Sequence, residues 1–424
     1  MIGAIADDFT GGTDVAVAFR RAGLRTMVLF GLPADDLVIA DHDAVVIALK
    51  TRTVAAAEAV ADSLAAARWL QAAGADQYFF KFCSTFDSTP AGNIGPVADA
   101  LADYLGAGQV VVVPSSPDHL RTQYLGHLFV DRILLSDSHM RHHPLTPMTD
   151  SRIPVVLRSQ TVRSVELIAH DRVRGGREDI AAALATAAEA GTRYAVVDAV
   201  SNDDLTEIGH AVLADILVTG AAGLAGGLGR ARAETIAATH AVASAAVPLA
   251  DDVPAAVLAG SCSMRTLEQI AAMKVAHPSF FLDAVATPDS AELADAALAW
   301  YDSLGETNAP LIYSSLSPEA LLESQTVLGV DRSADILETA MGVIARGLVE
   351  RGVRRLISAG GETSGAIVTA LGVSGGTIGA EAAPGVPWIY TASEQPIGLL
   401  LKSGNFGEPD LLVRASTPSG SLVG

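Results

Sequence analysis

The chain opens on MIGAIADDFTGGTD, where a short apolar run stops at two adjacent carboxylates, Asp7 and Asp8, followed by Thr10 and a glycine pair. A carboxylate at a strand's end can accept hydrogen bonds from a ligand's hydroxyls. Placed beside a reacting hydroxyl, it can act as the general base of phosphoryl transfer. The same half of the chain carries Lys50, Arg52, Lys81 and Asp87 at or just after apolar runs. Cations suit an organic acid, and carboxylates suit its hydroxyls. The chain has only four lysines, Lys50, Lys81, Lys274 and Lys402, and three of them fall at such run ends, which argues for placement rather than solubility. Arg52 leads as partner of a ligand's carboxylate because its planar fork matches two oxygens at once. Consecutive side chains diverge, so the two aspartates are expected to differ. Asp8 is expected to react, and Asp7 to be tied to loop backbone or to a helix N-terminus.

Turns of another kind follow in the second half. In SAGGETSG, Gly360 and Gly361 permit close backbone approach, and Thr363 or Ser364 is expected to cap the next helix. In GSCSMRTLEQI, Gly260 and the hydroxyls of Ser261 and Ser263 lead into a helix, and LKSGNFG puts Lys402 near Gly404. Exposed amides at a helix N-terminus bind anions, and three such turns favour a nucleotide polyphosphate. No Gly-Lys pair occurs, which excludes a P-loop, and there is no G-x-G-x-x-G fingerprint. The run GVSGG matches the G-x-S-x-G of serine hydrolases, but that motif needs a strand before it and a helix after it. Here a helical pattern comes first, which disfavours a hydrolase. His139, His142 and His143 crowd one stretch, but metal sites want convergent ligands with carboxylate or cysteine support, and Pro144 and Pro147 make this an ordered loop instead. No metal ligand is assigned. Arg141 with His142 and His143 suits a carboxylate ligand instead.

These groups need strands that end at the same edge. Ile2–Ala6 reads as a buried strand and Asp7–Gly12 as the loop after it, with Thr13 or Asp14 capping a helix whose face runs Val15, Ala18, Phe19, Ala22. Further strands are expected at Thr26–Phe30, Ala44–Leu49, Gln77–Phe82, Val110–Val113 and Tyr194–Ala199, with helical stretches such as Val54–Ala73 between several of them. The pattern restarts at Ala255–Ala259, Ser279–Leu282, Pro310–Tyr313, Arg355–Ser358, Trp388–Tyr390 and Leu399–Lys402. This is the βαβ signature, and in a parallel sheet ligands bind beyond the carboxyl ends of the strands. The expected fold is α/β with two domains, each a largely parallel sheet flanked by helices, and the active site in the cleft between them. Residues 1–235 are expected to bind the substrate and residues 250–424 the nucleotide, with a Gly-, Ala- and then Pro-rich boundary near residues 230–254.

Composition limits the function. A chain of 424 residues exceeds one ordinary core. Hydrophobic residues make up 50% and charged residues 18%, a globular balance. No apolar run is long enough to span a bilayer, and the N-terminus lacks the charged-then-apolar order of a signal peptide. Cys83 and Cys262 lie far apart without metal-type spacing, so a reduced, cytoplasmic setting is expected. The net charge of −20 argues against nucleic acid and acidic membrane surfaces as partners. A homo-oligomer stays open.

The stretches IADDFTGGTD, KTR, FKFCSTFDSTPAGNIGPV, GHLFV, MRHHPLTPMTD, GSCS, GGETSG, PGVPW and KSGNFG, in this order, resemble the four-carbon acid sugar kinase family over nearly the whole chain. The middle motifs look most like its 3-oxo-tetronate subgroup. Two departures stand out: PSSPDHLRTQYLGHLFV in place of an Asn-Gly-Arg-Thr type pattern, and Ala383 where an acidic residue is usual. The resemblance implies transfer of the γ-phosphoryl group of ATP, with Mg²⁺, to the terminal hydroxyl of a four-carbon sugar acid. It names 3-oxo-tetronate as that acid, with threonate and erythronate as alternatives. It implies ATP around Ser261, Ser263, Gly360, Gly361, Glu362, Thr363 and Gly404. A non-catalytic sugar-acid sensor is the alternative of another class, and it would leave the phosphate-type turns unexplained.

Overall fold

The computed structural model describes residues 1–424 except 35–36, 38, 40–41, 143–145, 238–252, 306–308, 392–394, 403 and 418–424. The chain divides into two compact units, residues 1–244 and 245–424. The expected boundary stretch lies largely in 238–252, outside the described residues.

In the first unit, eight strands form a parallel sheet in the order Thr26–Phe30, Ala44–Ala48, Ile2–Ala6, Gln77–Lys81, Leu217–Gly220, Val110–Val113, Tyr194–Val197, Val165–Ile168. Most of these strands are buried along their length, as a sheet covered by helices on both faces requires. The helices Phe9–Arg21, Ala56–Ala72, Ile94–Leu105, Arg177–Glu189, Asn202–Ala211 and Ala222–Ala237 supply the cover. Val165–Ile168 and Leu217–Gly220 were not expected as strands. The first carries Glu166, and the second is four residues long and runs into a Gly- and Ala-rich helix.

A small antiparallel sheet, Arg121–Tyr124, His127–Val130 and Ile133–Leu134, stands on this unit. Its first turn puts Leu125 and Gly126 at φ 49° and 75°, the left-handed pair of a two-residue hairpin. Asp198, fully buried, holds that turn by accepting from Leu125 N at 2.6 Å, Gly126 N at 2.9 Å and Gln123 Nε2 at 3.0 Å.

In the second unit the parallel strands run Ser279–Phe281, Leu311–Tyr313, Ala255–Ala259, Arg355–Ala359, Gly398–Lys402. Val386–Thr391 and then Gly375–Ala383 join antiparallel beyond the last of them. The helices Met264–Ala276, Ser290–Asp302, Pro318–Leu328, Val330–Glu350, Gly361–Ala370 and Leu411–Ser416 complete it. Ser374 follows a helix and precedes a strand, the reverse of a nucleophile elbow. Among the described residues no helix is long and apolar enough to cross a membrane.

Candidate active site

Three neighbouring strands of the first unit place Ala48, Ala6 and Lys81 in one register row. Adjacent strands lie about 4.8 Å apart, so the residues that follow this row emerge side by side. Asp7 binds both neighbours through its main chain. Its N–H donates to Lys81 O at 3.1 Å, and its carbonyl accepts from Thr51 N at 2.9 Å and Arg52 N at 3.1 Å. Buried Asn93 clamps the next turn from behind, donating to Thr51 O at 2.7 Å and Val54 O at 3.1 Å.

Arg52 spends its fork on the protein itself. Nε donates to Asp7 Oδ2 at 2.9 Å, Nη2 donates to Asp7 Oδ1 at 2.8 Å, and Nη2 also reaches Asp8 Oδ1 at 2.7 Å. Burial pulls the Arg52 guanidinium down, but the carboxylates of Asp7 and Asp8 override it and hold the group charged well above its ordinary value. Asp7 is tied to loop backbone, as expected, but the helix cap differs from expectation. Asp8, not Thr13 or Asp14, caps the helix Phe9–Arg21, accepting from Gly11 N at 2.8 Å, because the chain turns helical directly after it. Asp7 is tied by its backbone and by Arg52. The second oxygen of Asp8, Oδ2, has no partner among the described residues, and the side chain stays 29% exposed. Burial, with the Asp7 charge adding, raises Asp8 above the usual carboxylate range against the opposing pull of Arg52 and Lys81.

The glycines of TGGTD now have a reason. A Cβ on Gly11 would lie 2.2 Å from Asp8 Oδ1 and 2.9 Å from Lys81 Nζ, so only glycine lets these groups close around the helix start. Lys81 is 3% exposed, and its ammonium makes no hydrogen bond or ion pair among the described residues. It is a buried cation facing a partly exposed carboxylate, with its donors unspent. Lys50 is exposed at the rim, its Nζ 4.9 Å above the Phe9 ring. Asp87 follows a strained turn in which buried Phe86 takes φ 52°, and it accepts from Thr85 Oγ1 at 2.5 Å. Burial, with Asp87 adding, pushes the Cys83 thiol up to about 11, which removes it as a nucleophile near neutral pH.

Arg141 is not gathered with these groups. It is exposed, and its guanidinium donates to Ser136 O in its own loop at 3.1 Å. His143 lies outside the described residues, as do the side chains of His139 and His142.

The second unit repeats the construction. Ala259, Ala359 and Lys402 share a register row on three adjacent parallel strands. Gly260 N and Ser261 N donate to Ala359 O at 3.0 and 3.1 Å, and Gly360 N donates to Lys402 O at 2.8 Å. Ser263 caps the helix Met264–Ala276 and donates to Gly404 O at 2.6 Å. A Cβ on Gly404 would lie 2.5 Å from Ser261 Oγ, and one on Gly260 would lie 2.2 Å from Thr363 Oγ1. The turns therefore touch through their glycines. Gly360 itself takes φ 134°, a conformation closed to other residues.

The helix Gly361–Ala370 starts without a side-chain cap. Thr363 packs against Gly260, and Ser364 hydrogen-bonds Ser358 at 2.9 Å, so neither makes the cap expected of it. The first amides of this helix are left for a ligand, with open space over Gly361 and with Glu362 exposed in the first turn. Lys402, 1% exposed, braces the floor, its Nζ donating to Thr266 Oγ1 at 3.2 Å and Gly404 O at 2.9 Å. Burial, with Arg265 adding, lowers its pKa to about 8. Asn93 and Thr266 went unnoticed in the sequence, because their work is hydrogen bonding to turns distant in the chain. Among the described residues no cluster of His, Cys, Asp and Glu is arranged to hold a metal.

Two α/β units with ligand-type groups at the carboxyl ends of parallel strands define a two-substrate, sugar- and nucleotide-handling class. Residues 2–228 match the family described as a sugar-binding N-terminal domain, and residues 256–412 match that described as a nucleotide-binding C-terminal domain. The chain belongs to the four-carbon acid sugar kinase family. It is 46% identical to a 3-oxo-tetronate kinase of Burkholderia multivorans and 46% identical to one of Cupriavidus necator, in both cases over 98% of this chain and 96% of the relative. A crystal structure from Salmonella typhimurium LT2, of a protein described as a candidate tRNA synthase, matches with a TM-score of 0.91 at 41% identity, over 98% of each chain.

Proposed function

We propose that this protein transfers the γ-phosphoryl group of ATP to the terminal hydroxyl of 3-oxo-tetronate, giving the 4-phosphate and ADP. The kinase relatives, similar over nearly their full length, support the reaction. The observation that carries the substrate reading is Lys81, a buried ammonium close to Asp8 that makes no hydrogen bond or ion pair among the described residues. A cation so placed suits the acid's carboxylate, with Lys50 at the rim as a second positive charge. Arg52 then acts through Asp7, holding the loop and neutralising the inner carboxylate, rather than gripping the acid.

In the transfer step the substrate's hydroxyl oxygen attacks the γ-phosphorus and the bond to the β-phosphate oxygen breaks. Asp8 Oδ2 orients the hydroxyl and takes its proton, and ADP leaves. A raised carboxylate is the better proton acceptor near neutral pH. The amides that open the helix at Gly361, with Ser261 and Ser263, hold the phosphates. Mg²⁺, when bound, would supply charge neutralisation for the transfer, and Glu362, exposed beside the open amides, would be the carboxylate to hold it or its waters. The free thiols of Cys83 and Cys262 fit a cytoplasmic setting, and the net charge of −20 opposes a tRNA partner.

ADP release measured over 3-oxo-tetronate, threonate and erythronate, with the product's phosphate located by ³¹P NMR, tests the reading. Acid-dependent release favouring 3-oxo-tetronate is expected. Preference for threonate or erythronate would reassign the acid. No acid-dependent release would point to the sensor.

A further inference from the structure

Asn93 precedes the helix Ile94–Leu105 and has the chemistry of an N-cap, yet its side chain makes no cap hydrogen bond. Its amide is spent on Thr51 O, Arg52 O and Val54 O, which locks the turn after Ala44–Ala48. The orphan amide at the helix start is met from elsewhere. Gly95 N donates at 2.9 Å to Oε1 of Gln160, 65 positions later in the chain. The other end of the same side chain reaches back into the loop before the helix, where Gln160 Nε2 donates to Ser88 Oγ at 2.7 Å and to Thr89 O at 2.8 Å. Two glycines make room for it. A Cβ on Gly92 would collide with Ser88 Oγ and lie 3.0 Å from Gln160 Nε2, and one on Gly95 would lie 2.7 Å from Gln160 Cβ. Gln160 is itself held in place. The next residue, Thr161, donates to Asp99 Oδ2 at 2.7 Å, and buried Tyr194 donates to Asp99 Oδ1 at 2.6 Å, which pins the Gln160 turn to the same helix.

The loop so fixed is the one that leaves Lys81. It carries buried Thr85, Phe86 and Ser88 and the half-buried Asp87. The Cys83 thiol keeps its proton near neutral pH, so it donates to Thr85 Oγ1 at 3.0 Å, and Thr85 in turn donates to Asp87 Oδ1. Asp87 Oδ2 is left without a partner among the described residues. Ser88 Oγ accepts from Gln160, which leaves the hydroxyl's own proton to be donated elsewhere. The charges of Asp87, Arg52 and Lys81 all act on Cys83, which puts this loop against the candidate acid site. An acceptor and a donor held beside a buried cation match the hydroxyl and oxo groups of a small acid.

We propose that Gln160 is a positioning residue for the acid. It does not touch the ligand; by tying the loop to the helix start it sets Asp87 Oδ2 to accept from a hydroxyl of the acid and Ser88 to donate to one of its oxygens. The inference rests on the reading that this unit binds the acid at Lys81. Gln160→Glu separates the loop from the fold. Its carboxylate still accepts from Gly95 N, so Tm should be kept, but it cannot donate to Thr89 O and it draws the Ser88 proton onto itself. In calorimetry on the full chain without ATP, 3-oxo-tetronate should bind this variant about fivefold or more weakly, the scale of one lost hydrogen bond. In steady state the acid KM should rise by a similar factor, with the ATP KM within about twofold of wild type. Ser88→Ala should cost as much, and adding Gln160→Glu to it should cost less than about twofold more, because both changes remove the same donor; a charge effect of the substitution would instead add in full. Acid affinity within twofold of wild type in Gln160→Glu overturns the proposal, as do fully additive losses in the double variant. Equal rises in both KM values with a large fall in Tm also overturn it and make Gln160 a structural brace only. If wild-type protein binds the acid but releases no ADP, the kinase reading fails and the calorimetry still decides the role of Gln160. ADP release with unaltered variants refutes the Gln160 inference alone, and no acid binding by the wild type refutes both.

Discussion

Lys81→Met tests the acid site most directly. Methionine keeps the length and flexibility of the lysine stem and removes the charge. The ammonium is buried and forms no hydrogen bond among the described residues, so its donors are available to the acid, and its removal should cost what a charge-assisted hydrogen bond is worth, about 1.5–3 kcal/mol. At about 1.4 kcal/mol per decade, this is a loss of roughly 10- to 150-fold in kcat/KM for the acid. The KM for ATP should not move. Lys81 also holds Asp8 down against burial, so the pKa of Asp8 should rise further in the variant, and the acid limb of the pH–kcat profile should shift to higher pH. Stability provides the control. The cost of burying the ammonium opposes its favourable pull on Asp8, so Tm should stay level or rise. Steady-state kinetics in both substrates across pH, with thermal melts, reads all of this. An acid kcat/KM within twofold of wild type with an unshifted acid limb would refute the reasoning, and a large fall in Tm would make Lys81 a structural counter-ion of Asp8 instead.

Asp8→Asn keeps the helix cap and should lower kcat by roughly 100-fold with ATP binding intact, the scale of a positioned base. Because burial raises Asp8 in the folded state, wild-type kcat should fall as pH drops through a pKa above the usual carboxylate range, and that limb should vanish in the variant. A raised folded pKa also means that ionised Asp8 costs stability at neutral pH, so the substitution should not lower Tm. Near-normal kcat would leave Asp8 as a cap only. A Cβ added at Gly361 meets nothing within 4 Å among the described residues, so Gly361→Val should fold normally and, by filling the space over the helix start, raise the ATP KM about tenfold or more with the acid KM unchanged. Equal rises in both KM values would count against it. Burial holds Lys402 at about 8, and a bound polyphosphate favours its charged form. Nucleotide binding should therefore take up protons and weaken as pH rises above about 8. Calorimetry in buffers of different ionisation enthalpy checks this, and affinity independent of pH from about 7 to about 9 would exclude the coupling.

How much of this was legible depended on whether the signal was local. Ile2–Ala6, Val110–Val113 and Arg355–Ala359 are apolar enough to announce buried strands, and the polar residues that follow them could be read as strand-end groups without knowing which strands are neighbours. Gly375–Ala383 was not legible. Its alanines and glycines have little strand preference, and it forms because Val386–Thr391 offers it a hydrogen-bonding edge. The caps failed for a similar reason. Thr363 has the right chemistry for an N-cap, but packing against Gly260, 103 residues earlier in the chain, claims its side chain.

Arg52 shows where reading residue types must yield to register. A guanidinium and a carboxylate ligand are chemically well matched, so assigning Arg52 to the acid was sound from the sequence. What the sequence does not display is that Ala48 and Ala6 stand in one row, which puts a second carboxylate, that of Asp7, within reach of the same fork 45 positions away. An internal bidentate pair is made once and needs no ligand to complete it, whereas Lys81, in the same row on the other side of Ala6, finds no such partner among the described residues. The buried cation left unsatisfied, rather than the one best shaped for a carboxylate, is the stronger pointer to where the acid's charge belongs. The same logic applies in the second unit. Lys402 is matched within the protein and braces the turns, while the uncapped amides at Gly361 are the groups left for a ligand to satisfy.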